Sequence, residues 1–285
     1  IANLGLITAC AGVGTAEAIW AAILLVIFHA VAKSLLFLCV GTAEHHIGSR
    51  DIEDMDLLFE RMPRLSRMMI VGIMFLAPFG MLVAEWATLV SFVDTRQFAL
   101  LLMLAFGSAA TFMFWAKWLG KLAGITGTSE SIEKTVHWSE WIATMTFTIL
   151  ALVCCVAIPL MSDYLIEPYI ASVLGIAIQP ILDDDLYIAA IICLVMAVVL
   201  LGGMRKFKKG VKKTDAYLSG ISVDNAQRTF VNSLSQPMSA TARNWYLEPI
   251  FGETKIRPIG TICCYVLLAA AFIWAIYLTV AVVTL

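Results

Sequence analysis

Six apolar runs constrain this chain more than any other feature. They cover about 16–43, 68–92, 98–120, 139–161, 186–204 and 259–284, and each is long enough to cross the roughly 30 Å hydrocarbon core of a bilayer as a helix. The sequence therefore predicts an all-α fold, a polytopic membrane helix bundle of about six transmembrane helices. Composition agrees: 61% of the 285 residues are hydrophobic and only 14% charged, where a soluble domain carries about 25% charged residues. A soluble enzyme is excluded on that ground. No nucleophile–base pair or phosphate-binding motif is present, and nothing points to nucleic acid as a partner.

Residues 1–13 read as the tail of an earlier span. The chain opens at Ile1 inside an apolar stretch, without signal-peptide architecture, and reads as the C-terminal portion of a longer one. Four segments are expected: a bundle over 1–161, an outer connection plus a transmembrane helix over 162–204, a basic and polar cytoplasmic linker over 205–257, and a C-terminal transmembrane helix over 258–285. The 162–185 stretch, with Pro168 and Pro180, reads as interfacial or re-entrant. Trp115, Trp118, Trp138 and Trp141 fall at span ends and fit an aromatic belt.

Orientation follows from lysine and arginine. Arg50, Arg61, Arg64 and Arg67 lie between the first two spans, Lys121 and Lys134 between the third and fourth, and the cluster Arg205, Lys206, Lys208, Lys209, Lys212 and Lys213 in the long linker. On an up-down path these connections share one side. The opposite side holds only Arg96, together with Asp163, Glu167, Asp183, Asp184 and Asp185. The basic side is expected in the cytoplasm and the C-terminus outside, in a cell inner (cytoplasmic) membrane.

The ionisable residues inside these runs are the candidates for function. Lys33 lies near the middle of the first run, where an uncompensated lysine costs roughly 2.5 kcal/mol even on lenient insertion scales. His29 is four residues earlier and shares its helix face. Glu44 returns to the same face at the cytoplasmic end, followed by His45 and His46. These groups can take up and release protons, and they form a stripe from mid-bilayer to the inner surface. The competing structural reading is a buried pair bonded to neighbouring helices, with Glu44, His45 and His46 as a solvated helix end. Glu85 follows Pro78 and Gly80, a sequence that interrupts a helix, and such breaks are tolerated where they line a cavity or face protein. Lys117 either snorkels to the headgroups or joins the path. The seven cysteines form no C-x-x-C and lie at no metal-ligand spacing with histidine, so no metal or other cofactor is expected in this chain.

Several motifs resemble the antiporter-like subunits shared by respiratory complex I, multisubunit cation/proton antiporters and membrane-bound energy-converting hydrogenases. Asn3 to Gly5 is similar to the family's S-x-x-N-x-G helix. Phe28-His29-Ala30-Val31-Ala32-Lys33-Ser34-Leu35-Leu36-Phe37-Leu38 is similar to H-A-x-x-K-[AS]-L-L-F-L, and Gly41 to His45 to the following G-x-x-x-H. Arg50-Asp51-Ile52 through Met62-Pro63 resembles the family's R-D-[IM]…P loop. The resemblance covers about the first 125 residues and implies the second half of an antiporter-like proton channel. It assigns His29 and Lys33 to a hydrated central axis and Glu85, after the broken helix at Pro78 and Gly80, to its outer end. The pattern Phe114 to Lys121 and the stretch Tyr246 to Gly252 look most like the antiporter-like A subunit of Ech-type hydrogenases. That resemblance implies proton or sodium translocation beside other membrane subunits and a peripheral redox arm. Iron–sulfur clusters and nickel–iron would belong to those partners.

Overall fold

A computed structural model describes residues 2–52, 54, 55, 58–76, 81–123, 131–176, 181, 185–195, 198, 202, 229–231, 233–239 and 252–283. The chain divides into two compact units, 1–221 and 222–285.

The first unit is built around one long helix. α1 (Ala2–Val13) ends at Gly14, whose φ of 71° allows the sharp reversal into the next helix. α2 (Ala16–Ile47) runs for 32 residues, about 48 Å at 1.5 Å per residue. Thr15 caps its start by accepting from the Ala18 amide at 3.2 Å. Gly48 ends it at φ 82°, donating its amide to the Glu44 carbonyl. The helix is apolar on every side and buried over most of its surface, while Val26, Ala30, Phe37 and Leu38 stay exposed. α1, α4 (Pro63–Met74), α5 (Leu82–Asp94), α7 (Trp138–Val156) and α9 (Glu167–Leu174) all pack against it. A short helix α3 (Leu58–Arg61) precedes α4.

Small and hydroxylated residues set these helix contacts, as expected where no hydrophobic force separates helix from lipid. Cys10 Sγ lies 3.3 Å from Thr88 Oγ1, and Thr15 Oγ1 lies 2.8 Å from Ser91 Oγ. Both bonds use the buried face of α5; its opposite face presents Trp86, Leu89, Val90 and Val93. Gly72 lets α4 approach Leu35 and Leu36 of α2.

α6 (Phe98–Ala123) follows a tight turn at Arg96, where φ is 57°. α7 begins with a capping box: His137 Nδ1 accepts from the Ser139 amide and Glu140 accepts from the His137 amide. After α7 come α8 (Ile158–Met161), a π-helical turn over Ser162–Ile166, and α9. The stretch 162–174 is thus helical and docked: the buried Trp20 indole donates to Ser162 Oγ at 2.9 Å, which donates to Glu167 at 2.6 Å. α10 covers Asp185–Val195.

Loops expected on one side meet at one end of the unit. Ile132 N donates to the Arg61 carbonyl, and Glu133 accepts from the Arg64 amide and pairs with its guanidinium. The opposite end holds the Thr15–Ser91 and Trp20–Ser162 bonds.

The second unit contains a hairpin and one long helix. β1 (Thr229–Val231) pairs antiparallel with β2 (Pro237–Ser239), Phe230 opposite Met238, through a turn with Ser235 at φ 57°. This hairpin lies in the stretch expected to be a plain linker. α11 (Glu253–Val283) begins five residues before the expected boundary. The basic cluster Arg205 to Lys213 lies outside the described residues.

Among the described residues, four helices are long and apolar enough to cross a membrane: Ala16–Ile47, Phe98–Leu122, Trp138–Val156 and Thr254–Val280. On either side of the expected interruption at Pro78 and Gly80, the expected run 68–92 is carried by α4 and α5. The former ends at Met74 with Phe75 as its cap and the latter starts at Leu82 after Met81. The expected run 186–204 is described as a helix over Asp185–Val195. Among the described residues, the first unit is an all-α membrane helix bundle, and the second holds the short hairpin and one long apolar helix.

Candidate ion-translocation site

Lys33 sits 17 residues into α2, roughly 25 Å from its start and 21 Å from its end by helical rise. Its ammonium lies 5.4 Å from the centroid of the Trp115 ring, within cation–π range. Trp115 is buried, at 4% exposure, and stacks on Trp118 at 5.5 Å with the rings 13° from parallel. An aromatic belt residue faces the headgroups; Trp115 instead faces the bundle and covers the lysine. The belt expectation is corrected for this residue, while Trp138 is exposed as expected. Among the described residues no carboxylate forms an ion pair with Lys33.

His29, half-buried one turn earlier, is held from α1. Asn3 Nδ2 lies 3.3 Å from His29 Nδ1 and donates a second bond to Met81 Sδ at 3.4 Å. An amide nitrogen only donates, so Nδ1 is the acceptor and the proton of the neutral ring sits on Nε2. Met81 is the cap residue of α5, and its carbonyl accepts the Glu85 amide at 2.8 Å. One amide side chain thus joins the mid-membrane histidine to the helix start that carries Glu85. Glu85 is half-buried in the first turn of α5. Pro78 and Gly80 lie between α4 and α5, outside the described residues.

The other expected residues form separate groups. Glu44 pairs with Arg50 at 2.6 Å. His45 Nδ1 and His46 Nε2 reach opposite oxygens of Glu140, at 3.0 Å and 3.5 Å. Lys117 is half-buried and has its own partner; two residues after Trp115, it points about 200° away from it. Lys121, assigned to a loop by the sequence, is buried at 7% exposure near the end of α6.

Sequence reasoning missed the roles of Asn3, Trp115 and Glu140. For Trp115 a signal existed: Trp115 and Trp118 stand three apart on one helix face, beside a second intramembrane lysine. Asn3 stood in the S-x-x-N-x-G resemblance and Glu140 at capping-box spacing from His137, but neither signal discloses partners 26 and 94–95 residues away.

Residues 1–113 match the family described as NADH:quinone oxidoreductase/Mrp antiporter, transmembrane. The matched segment contains Asn3, His29, Lys33 and Glu85. The chain is also 35% identical over 83 residues to the F(420)H(2) dehydrogenase subunit L of Methanosarcina mazei. That stretch is 28% of this chain and spans 12% of the relative's length. Over residues 1–113, about two-fifths of the chain, the sequence is thus similar to the NADH:quinone oxidoreductase/Mrp antiporter family of membrane subunits.

Proposed function

We propose that this chain moves protons across the membrane as the antiporter-like subunit of a redox-driven complex, of the energy-converting membrane-bound hydrogenase type. The observation that carries the reading is the placement of His29 and Lys33. Both sit at mid-length of the helix around which α1, α4, α5, α7 and α9 pack, within the matched segment. An ammonium at that depth with no carboxylate partner among the described residues costs several kcal/mol unless water or proton release relieves it. The ion follows from the chemistry of the groups. Sodium prefers several hard oxygen ligands, whereas an amine and an imidazole exchange protons.

In this reading a change of charge in a neighbouring subunit alters the protonation of Lys33. Lys33 exchanges protons with Glu85 through water and His29, whose tautomer Asn3 fixes. Glu44 and His45 lie towards the cytoplasm, and Lys117, turned away from Trp115 on α6, is assigned no step. The redox chemistry belongs to partner subunits carrying iron–sulfur clusters and, for a hydrogenase, nickel–iron. The membrane is the cytoplasmic one, with the basic end inside.

A second reading rests on the named relative: a dehydrogenase-type complex in place of a hydrogenase. A cation/proton antiporter without redox partners is the third, and a passive membrane anchor the fourth. Purification of the native complex through a tag on this chain separates them. A nickel–iron subunit supports the hydrogenase, iron–sulfur proteins without nickel support the dehydrogenase, and absence of both favours the antiporter. Glu85→Ala in the reconstituted complex should abolish proton translocation while assembly persists. An anchor would leave translocation untouched.

A further inference from the structure

We propose that Glu140, shared between His45 and His46, is a proton-collecting site at the end of α2 where it meets α7. The inference rests on the proton-translocation reading above and assigns a residue that the matched segment does not reach.

Hydrogen counting carries the proposal. Thr135 Oγ1 donates its single proton to the Ile132 carbonyl at 2.7 Å. The same oxygen lies 2.8 Å from His46 Nδ1, so that nitrogen must carry the proton and donate. A neutral His46 then has a bare Nε2. That nitrogen faces Glu140 Oε2 at 3.5 Å, and an ionised carboxylate has no proton to offer. Two lone pairs would oppose each other unless one further proton lies between them. On the other oxygen, Oε1, a neutral His45 satisfies the bond at 3.0 Å by donating from Nδ1. The network therefore has a place for one proton beyond neutral histidines and an ionised glutamate.

Exposure is graded in the direction a collector needs. The His45 side chain is 74% exposed, Glu140 22% and His46 15%. Water meets His45 first, and the extra proton is held behind it. The surroundings do not neutralise the site. Glu44 on α2 is tied to Arg50, and Glu133 before α7 faces Arg64 of α4. The His137 ring bonds Ser139, and both of these neighbouring acids already have partners of their own.

The bland alternative is a latch that ties α2 to the capped start of α7. Glu140→Gln separates the two roles, because glutamine still closes a capping box but cannot share the extra proton. The assay is the initial rate of proton uptake by the reconstituted complex, at very low buffer and again with added mobile buffer. A collector predicts a fall of about tenfold at low buffer and recovery to near the wild-type rate when buffer delivers protons instead. An unchanged rate at low buffer overturns the proposal, and so does a slowed rate that buffer fails to restore. Lys33→Ala, run alongside, should stay inactive at every buffer concentration. If it pumps normally, the reading of the central path fails, while the buffer response of Glu140→Gln still decides the collector.

Discussion

Replacing Gly72 with alanine should destabilise the bundle through α2, although the same change in an open helix stabilises it. A Cβ at position 72 would lie 2.9 Å from Leu36 Cδ2, 3.0 Å from Leu36 Cγ and 3.2 Å from Leu35 Cδ2. Leu35 is fully buried and Leu36 is 3% exposed, so neither can swing into open space. Overpacking of this kind costs about 1–3 kcal/mol. Alanine also gains about 0.8–1.0 kcal/mol of helix propensity over glycine. Gly107 in α6 isolates that second effect, since a Cβ there meets nothing within 4 Å. The difference between the two variants should therefore be the packing cost alone, on the order of 2–10 °C in melting temperature. Cys39 provides the readout: it is fully buried on α2, one turn beyond Leu35. Its modification by a maleimide, followed by mass spectrometry across a temperature series, should begin earlier in Gly72→Ala than in Gly107→Ala. Identical onset temperatures would refute the close approach of α4 to α2.

Two further predictions concern the site. Asn3→Ala removes the bond that fixes the His29 tautomer, worth about 0.5–1.5 kcal/mol, and should slow translocation roughly 2- to 10-fold with assembly intact; an unchanged rate would remove Asn3 from the mechanism. Trp115→Leu should cost about 0.5–2 kcal/mol of stability when Lys33 is present and markedly less in a Lys33→Met background. A double-mutant cycle with no coupling would show that the ring does not hold the ammonium.

The long helices were legible because lipid demands uninterrupted apolar runs. The run 98–120 became Phe98–Ala123 and 16–43 became Ala16–Ile47. In α2 the extra turn carries Glu44, His45 and His46, a polar helix end to which hydropathy is blind but which Gly48 terminates. The run 68–92 reads as one stretch by hydropathy, with an interruption expected at Pro78 and Gly80; α4 ends at Met74 and α5 starts at Leu82, on either side of those two residues. The hairpin at 229–239 escaped notice because strands of three residues leave almost no periodic pattern. At the site, the His29–Lys33 spacing was local and therefore readable. The partners that give it meaning come from α1 and α6, across distances along the chain that no spacing rule covers.

The account depends on the ammonium of Lys33 serving a route for protons through the bundle. The most direct test is the number of protons moved per electron pair by the reconstituted complex carrying Lys33→Ala. Redox turnover should continue while that ratio falls towards zero. A ratio equal to that of the wild type would contradict the account.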